Sequence, residues 1–269
     1  MAREIGGVRY EEEYILNSRG MKLFTCRFLP ANHEPKALIF LCHGYAAECN
    51  TTIKGMGVRL AKQGFGVYGM EYEGHGRSSG LPGYIPSFDD LVTDCSVHYT
   101  TISEKKENKK KLKILLGESM GGAVALLLHR KKPTFWDGAV LVAPMCRPRL
   151  KTAKQLLDVS LDLEQRLQEV SLPFLIVHGG DDKVTDPSVS KLLYESACST
   201  DKTFKLYEGM WHALTYGELP ENVDVVYSDI VAWLDDRVAM RNSRLENEQK
   251  LENDNLLKAE SSEESSIEA

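Results

Sequence analysis

Short apolar runs alternate with longer stretches of helical period along most of the chain. Residues 37–41, 66–71, 112–116, 139–143, 174–178 and 203–207 are five- or six-residue runs rich in β-branched, aromatic and aliphatic side chains, the pattern of buried strands. Between and after them, residues 52–63, 88–103, 120–130, 152–170, 188–197 and 224–238 repeat their apolar positions every three to four residues and predict helices. Strands separated by helices pair in parallel through right-handed crossovers, which places helices on both faces of one central sheet. Ahead of this region, residues 10–16 and 21–28 alternate across Asn17-Ser18-Arg19-Gly20 and predict a β-hairpin. Such an open sheet binds its ligands beyond the carboxyl ends of the parallel strands, so chemistry is sought in those loops.

Composition narrows the picture. With 269 residues, 42% of them hydrophobic and 27% charged, the chain reads as an ordinary globular protein with a single α/β domain over 1–240. Residues 241–269 carry a strong acidic excess with no Phe, Trp, Tyr or Val, and composition predicts a disordered acidic tail. A net charge of −6 argues against general nucleic-acid binding, which needs a basic face. The longest apolar runs, 37–42 and 123–128, are far too short to span a bilayer, and the acidic N-terminal region does not read as a signal or transit peptide. A cytoplasmic location follows as the expectation, with peripheral contact at membranes. The six cysteines show neither zinc nor redox spacing and are expected as reduced thiols. The lysine-rich segment 104–113 is expected as a solvated loop.

The chemistry-bearing motif is Gly117-Glu-Ser-Met-Gly121, set between an expected strand and an expected helix. A strand-to-helix turn this sharp holds its central residue in a strained backbone, and glycines on either side keep the turn free of collisions. Ser119 Oγ is thereby lifted above the sheet at a helix N-terminus, where negative charge is favoured. A serine hydroxyl needs a base. His43, His75, His178 and His212 all stand near strand ends, and only His212 follows both a serine and an acid in the order this fold uses. Asp181, Asp182 and Asp186 compete as the acid, and spacing does not separate Asp181 from Asp182. An oxyanion would be held by the backbone N–H of Met120, directly after the serine, and by that of Tyr45 in the His43-Gly44-Tyr45 loop. His75 and Arg77 are read as members of a supporting loop. No His-Glu-x-x-His or comparable metal spacing appears, and the chemistry calls for no cofactor.

Leu41-Cys-His-Gly-Tyr45, Tyr72-Glu-Gly-His-Gly-Arg-Ser78, Gly117-Glu-Ser-Met-Gly-Gly122, Ala143-Pro-Met-Cys146, Asp182-Lys-Val-Thr-Asp-Pro187 and Tyr207-Glu-Gly-Met-Trp-His212 together resemble the plant monoacylglycerol lipase group that includes caffeoylshikimate esterase. The resemblance runs from about residue 10 to residue 238. It implies an α/β-hydrolase fold with a mostly parallel central sheet and a triad of Ser119, Asp182 and His212, the acid standing directly before Lys183. It also implies a carboxylic-ester hydrolase working through an acyl-enzyme on monoacylglycerols, lysophospholipids or hydroxycinnamoyl esters. One departure is large. Members of the group follow Ala-Pro-Met-Cys with several tens of residues that build a helical cap, whereas here Cys146 joins Arg147 directly. A reduced cap, with a residual connection over 144–170, is therefore expected. A non-catalytic binding or regulatory protein on the same fold is the alternative that this shortening suggests.

Overall fold

The computed structural model describes residues 2–48, 54–145 and 154–267. The junction of Cys146 with Arg147, and with it part of the expected cap connection, lies outside the described residues. The chain divides into two units, Met1–Ile230 and Val231–Ala269.

Within the first unit the described strands form one nine-stranded sheet in the order β1-β2-β3-β5-β4-β6-β7-β8-β9. Its antiparallel end comprises β1 (Ala2–Ile5), β2 (Val8–Leu16) and β3 (Lys22–Pro30). The expected hairpin is thus longer than its apolar pattern suggested, and β1 is an addition to it. Gly6 and Gly7, with φ of 55° and 81°, join β1 to β2 by a two-residue turn whose backbone only glycine enters without cost. The remaining strands, β4 (Leu38–Cys42), β5 (Gly66–Met70), β6 (Lys113–Glu118), β7 (Gly138–Val142), β8 (Phe174–Gly179) and β9 (Lys202–Tyr207), pair in parallel as the alternation predicts. All residues of β4, β5, β7 and β8 are buried, whereas β9 at the edge is half-buried. This difference explains why the central strands read as continuous apolar runs while β9 carries Lys202 and Lys205.

The helices are α1 (Lys54–Lys62), α2 (Phe88–Ser103), α3 (Met120–Lys131), α4 (Lys154–Glu164), α5 (Pro187–Ser196) and α6 (Pro220–Ile267). α3 is buried along nearly its whole length, from Met120 to His129, and packs against β4, β6 and β7. The single helix expected over 152–170 is instead α4 followed by a 3-10 turn, Leu167–Glu169. The Arg166 N–H reaches back three residues to the Leu163 carbonyl, tightening the end of α4. Arg130 ties the two pieces together through Asp162 at 2.6 Å and Glu169 at 3.2 Å.

Residues 241–267, expected to be disordered, are helical as the continuation of α6. The segment has no Pro or Gly, and Glu, Leu, Lys and Arg, which favour helix through local bonds alone, make up about half of it. Arg244 and Glu248, one turn apart, pair at 2.9 Å. Low hydrophobicity limits what a segment can bury but leaves this local preference intact. Among the described residues, no helix is long and apolar enough to cross a membrane.

Because β4 and β6 to β9 run in one direction, the loops that leave them open on one edge of the sheet. His43 to Tyr45, Ser119, Ala143 to Met145, Asp182 and His212 all lie in or after those loops.

Candidate active site

Ser119 is the single residue between β6 and α3, with φ of 54° and ψ of −120°. A non-glycine residue in this region costs on the order of 1–3 kcal/mol and persists only where its surroundings impose it. Three backbone bonds do so. The Ser119 N–H donates to the Val142 carbonyl at 2.9 Å, and its carbonyl accepts the N–H groups of Gly122 and Met145, each at 2.9 Å. The glycines of the motif are there for space. A β-carbon at position 121 would lie 1.8 Å from the Cys42 carbonyl oxygen, and one at 117 would lie 2.3 Å from the Gly121 oxygen. The corner therefore closes on β4, β6 and β7 simultaneously.

Gly44 approaches the serine from the loop after β4, close enough that a β-carbon there would stand 3.4 Å from Ser119 Cβ and 4.0 Å from Ser119 Oγ. His43 holds this loop. Its Nε2 accepts the Tyr72 N–H at 3.2 Å, so the proton is on Nδ1, which donates to the Gly44 carbonyl at 2.8 Å. The ring stacks on Tyr72 at 3.7 Å, and burial pushes its pKa down to about 3. His43 is thus a neutral brace. His75 is likewise buried, and burial lowers its pKa despite the Glu73 carbonyl at 3.1 Å from Nδ1. Tyr45 is exposed and anchors its loop by donating its hydroxyl proton to the Gly83 carbonyl at 2.8 Å. As the first residue of α3, Met120 has an N–H with no acceptor inside the helix.

On the other side of the site, Asp182 is 1% exposed and His212 is partly exposed. His212 Nδ1 lies 2.7 Å from Asp182 Oδ2. The Thr185 hydroxyl stands 2.8 Å from the same oxygen, and Asp182 Oδ1 accepts the N–H groups of Val184 at 2.7 Å and Thr185 at 3.0 Å. Burial alone would raise the carboxyl pKa, yet hydrogen bonds from His178, His212 and Thr185 outweigh it and hold Asp182 well below the usual carboxylate range. Asp181 faces solvent, its N–H spent on the Met210 carbonyl at 3.0 Å. Asp186 caps α5, accepting the Ser188 N–H at 3.0 Å. Of the three competing aspartates, only Asp182 is brought to His212.

Three further residues belong to this neighbourhood. His178, weighed in the sequence only as a rival base, is fully buried with Nε2 3.0 Å from Asp182 Oδ2. Thr185 joins Asp182 and His212, and its position three residues after the acid was the available signal. Glu118, directly before the serine, is buried with Oε1 unpartnered. Burial raises its pKa to about 7, against the pull of His212, Thr215 and Tyr216. Among the described residues, no three His, Cys, Asp or Glu side chains gather as a metal site requires.

The Hydrolase_4 family, serine aminopeptidase S33, matches residues 33–153 and 147–219, two stretches that overlap at 147–153, just after Cys146. Caffeoylshikimate esterase of Arabidopsis thaliana is 28% identical over 296 aligned positions, covering 88% of this chain and 89% of that protein. That alignment is longer than the whole 269-residue chain, so the relative carries positions with no counterpart here. Monoglyceride lipase of Mus musculus is 29% identical, covering 84% of this chain and 91% of that protein. Among solved structures, the monoacylglycerol lipase of Paleococcus ferrophilus superposes with a TM-score of 0.70 at 20% identity, covering 81% of this chain and all of that one. With this match, this sheet and the serine at this corner, the chain belongs to the Hydrolase_4 family and is an α/β-hydrolase related to monoglyceride lipases and caffeoylshikimate esterase.

Proposed function

We propose that the protein hydrolyses carboxylic esters through an acyl-Ser119 intermediate, with His212 as base, Asp182 as its partner, and the Tyr45 and Met120 N–H groups as oxyanion donors. The observation that carries this reading is the 2.7 Å bond from His212 Nδ1 to a buried, strongly acidic Asp182 on the edge where Ser119 is held in its strained corner. A carboxylate at Nδ1 keeps the proton there and leaves Nε2 to take the serine proton. Oγ then attacks the ester carbonyl carbon, and the oxyanion settles on the two backbone donors. His212 returns the proton from Nε2 to the leaving alkoxide as the tetrahedral intermediate collapses. Water repeats the sequence on the acyl-enzyme, restoring Ser119 and releasing the acid.

The names of the relatives support monoacylglycerols and hydroxycinnamoyl esters as substrates; lysophospholipids are added by the sequence resemblance alone. The division of the family match beside Cys146 supports a reduced cap. Without that cover, long acyl chains lose contacts worth roughly 0.8 kcal/mol per methylene, while the bond-making groups are spared. A cytoplasmic enzyme touching lipid surfaces peripherally fits these substrates.

The test is labelling with a fluorophosphonate together with turnover of a chain-length series of nitrophenyl esters. The parent should label at Ser119 and hydrolyse short esters with weak chain-length preference. Ser119→Ala should abolish labelling and lower turnover by on the order of 10⁴-fold or more. Absence of labelling in the folded parent would favour a non-catalytic role, and activity within about tenfold of the parent in Ser119→Ala would overturn the nucleophile.

A further inference from the structure

Asp182 Oδ2 serves two imidazoles. His212 Nδ1 lies 2.7 Å from it and His178 Nε2 lies 3.0 Å from it, with the Thr185 hydroxyl at 2.8 Å. The Ser–His–Asp chemistry needs only the first of these. His178, last but one in β8, is fully buried and has Ser190 Oγ of α5 at 2.8 Å from Nδ1. Ser190 is fully buried as well. A carboxylate can only accept, so His178 must present an N–H at Nε2. The Ser190 hydroxyl can supply the hydrogen that a bare Nδ1 then accepts. Ser190, His178, Asp182 and His212 thus form one continuous line of donors and acceptors, running from the first turns of α5 to the base.

We infer that His178, oriented by Ser190, is a positioning residue for ester hydrolysis: its Nε2–H fixes the Asp182 carboxylate and tempers the basicity of His212 by sharing the oxygen that holds it. This rests on the reading of Ser119, Asp182 and His212 as the triad. The physical reason lies in how one oxygen divides its charge among donors. Each hydrogen bond to Oδ2 stabilises the ionised carboxylate and leaves less charge to hold the His212 imidazolium. With His178 removed, Oδ2 grips the imidazolium harder. His212 then keeps its proton to higher pH and releases it less readily to the leaving alkoxide. Among the described residues, the ionisable groups facing this line include Asp182 and His212 themselves and Glu118 at the end of β6, which in turn faces Tyr216 and Tyr227. Thr185, which also touches Oδ2, His178 and the Ala143 carbonyl, does not titrate.

The deciding experiment measures kcat and KM for a short nitrophenyl ester from about pH 5 to pH 9 in the parent, His178→Leu, His178→Gln and Ser190→Ala. His178→Leu should lower kcat about tenfold with KM nearly unchanged, and should move the acid limb of kcat/KM up by about half a pH unit. His178→Gln can give an amide N–H to Oδ2 and should recover most of both. Ser190→Ala should shift the limb the same way by less. A parental acid limb in folded His178→Leu, or equal impairment of the Gln and Leu variants, would overturn the inference. If circular dichroism shows that His178→Leu fails to fold, an unmoved limb in Ser190→Ala overturns it instead. Ser119→Ala, run alongside, separates the two levels: if it stays active the triad itself falls, and if it is dead while the limbs stay fixed only the role of His178 falls.

Discussion

Asp182 and Glu118 are both buried carboxylic acids, 1% and 8% exposed, and both stand close to His212. Their acidities nevertheless move in opposite directions, Asp182 far down and Glu118 up to about 7. Burial pushes both upward, so it cannot be what divides them. Donors divide them. Asp182 sits in the turn after β8, where the freed N–H groups of Val184 and Thr185 point at Oδ1 while two imidazoles and a hydroxyl converge on Oδ2. Glu118 ends β6, in register with Val142 of the neighbouring strand, and its Oε1 has no partner. A loop can turn its backbone donors onto a side chain, whereas a strand spends them on its neighbours. The charged member of the pair therefore comes from the loop, and the member that keeps its proton up to about pH 7 comes from the strand.

If the contrast governs function, Asp182→Asn should produce the largest effect, a loss in kcat/KM on the order of 10⁴-fold, because an amide can present an N–H where His212 needs an acceptor. Steady-state kinetics check this, and a loss below tenfold would break the comparison at its catalytic end. Asp182 also carries a stability term of definite sign. Its folded pKa lies below the unfolded value, so its contribution is present above the ordinary aspartate range and drains away as pH falls through the lower folded value.

Glu118→Gln should come next, as an effect on stability with the opposite pH dependence. The parent's folded Glu118 pKa is raised above its unfolded value, so its favourable contribution is complete below about pH 4.5 and is lost as pH rises towards 7. Glutamine abolishes that loss. Relative to the parent, the variant should gain on the order of 3 kcal/mol in urea unfolding between about pH 4.5 and pH 8. Equal stability differences at the two pH values would show that Glu118 is not held protonated. The smallest effect belongs to Asp181→Asn, which exchanges a solvated carboxylate next to the critical one. Activity within about threefold and stability within about 0.5 kcal/mol of the parent are expected. A loss matching that of Asp182→Asn would erase the distinction between a neighbour in sequence and a partner in space.

Much of this frame was readable from residues 37–41, 66–71, 112–116, 139–143 and 174–178, because a strand buried on both faces must be apolar at nearly every position. Gly117-Glu-Ser-Met-Gly121 was readable for a similar reason, since the corner leaves no room for other side chains at 117 and 121. Spacing left Asp181 and Asp182 undivided because a one-residue difference in a turn decides inward or outward only once β8 and β9 are placed. The part played by His178 depends on partners four and twelve residues away, and that of Glu118 on a burial that its charge would have argued against. β1 escaped because four residues flanking a Gly-Gly turn carry too little pattern. The helix beyond Arg241 escaped because low hydrophobicity was weighed and local propensity was not.

The Met145 N–H gives the Ser119 carbonyl its second bond, and a β-carbon on Gly122 would meet Pro144 Cβ at 2.6 Å. The family match divides just beyond, where its stretches overlap at 147–153. What holds Ser119 in its unusual backbone is therefore supplied by residues up to 145. The segment that follows can be shortened, enlarged or exchanged in sequence without removing any of these bonds. The same seam suits chimaera building: corresponding segments of different relatives can be grafted after Cys146, and a substrate preference that followed the graft would assign that choice to it.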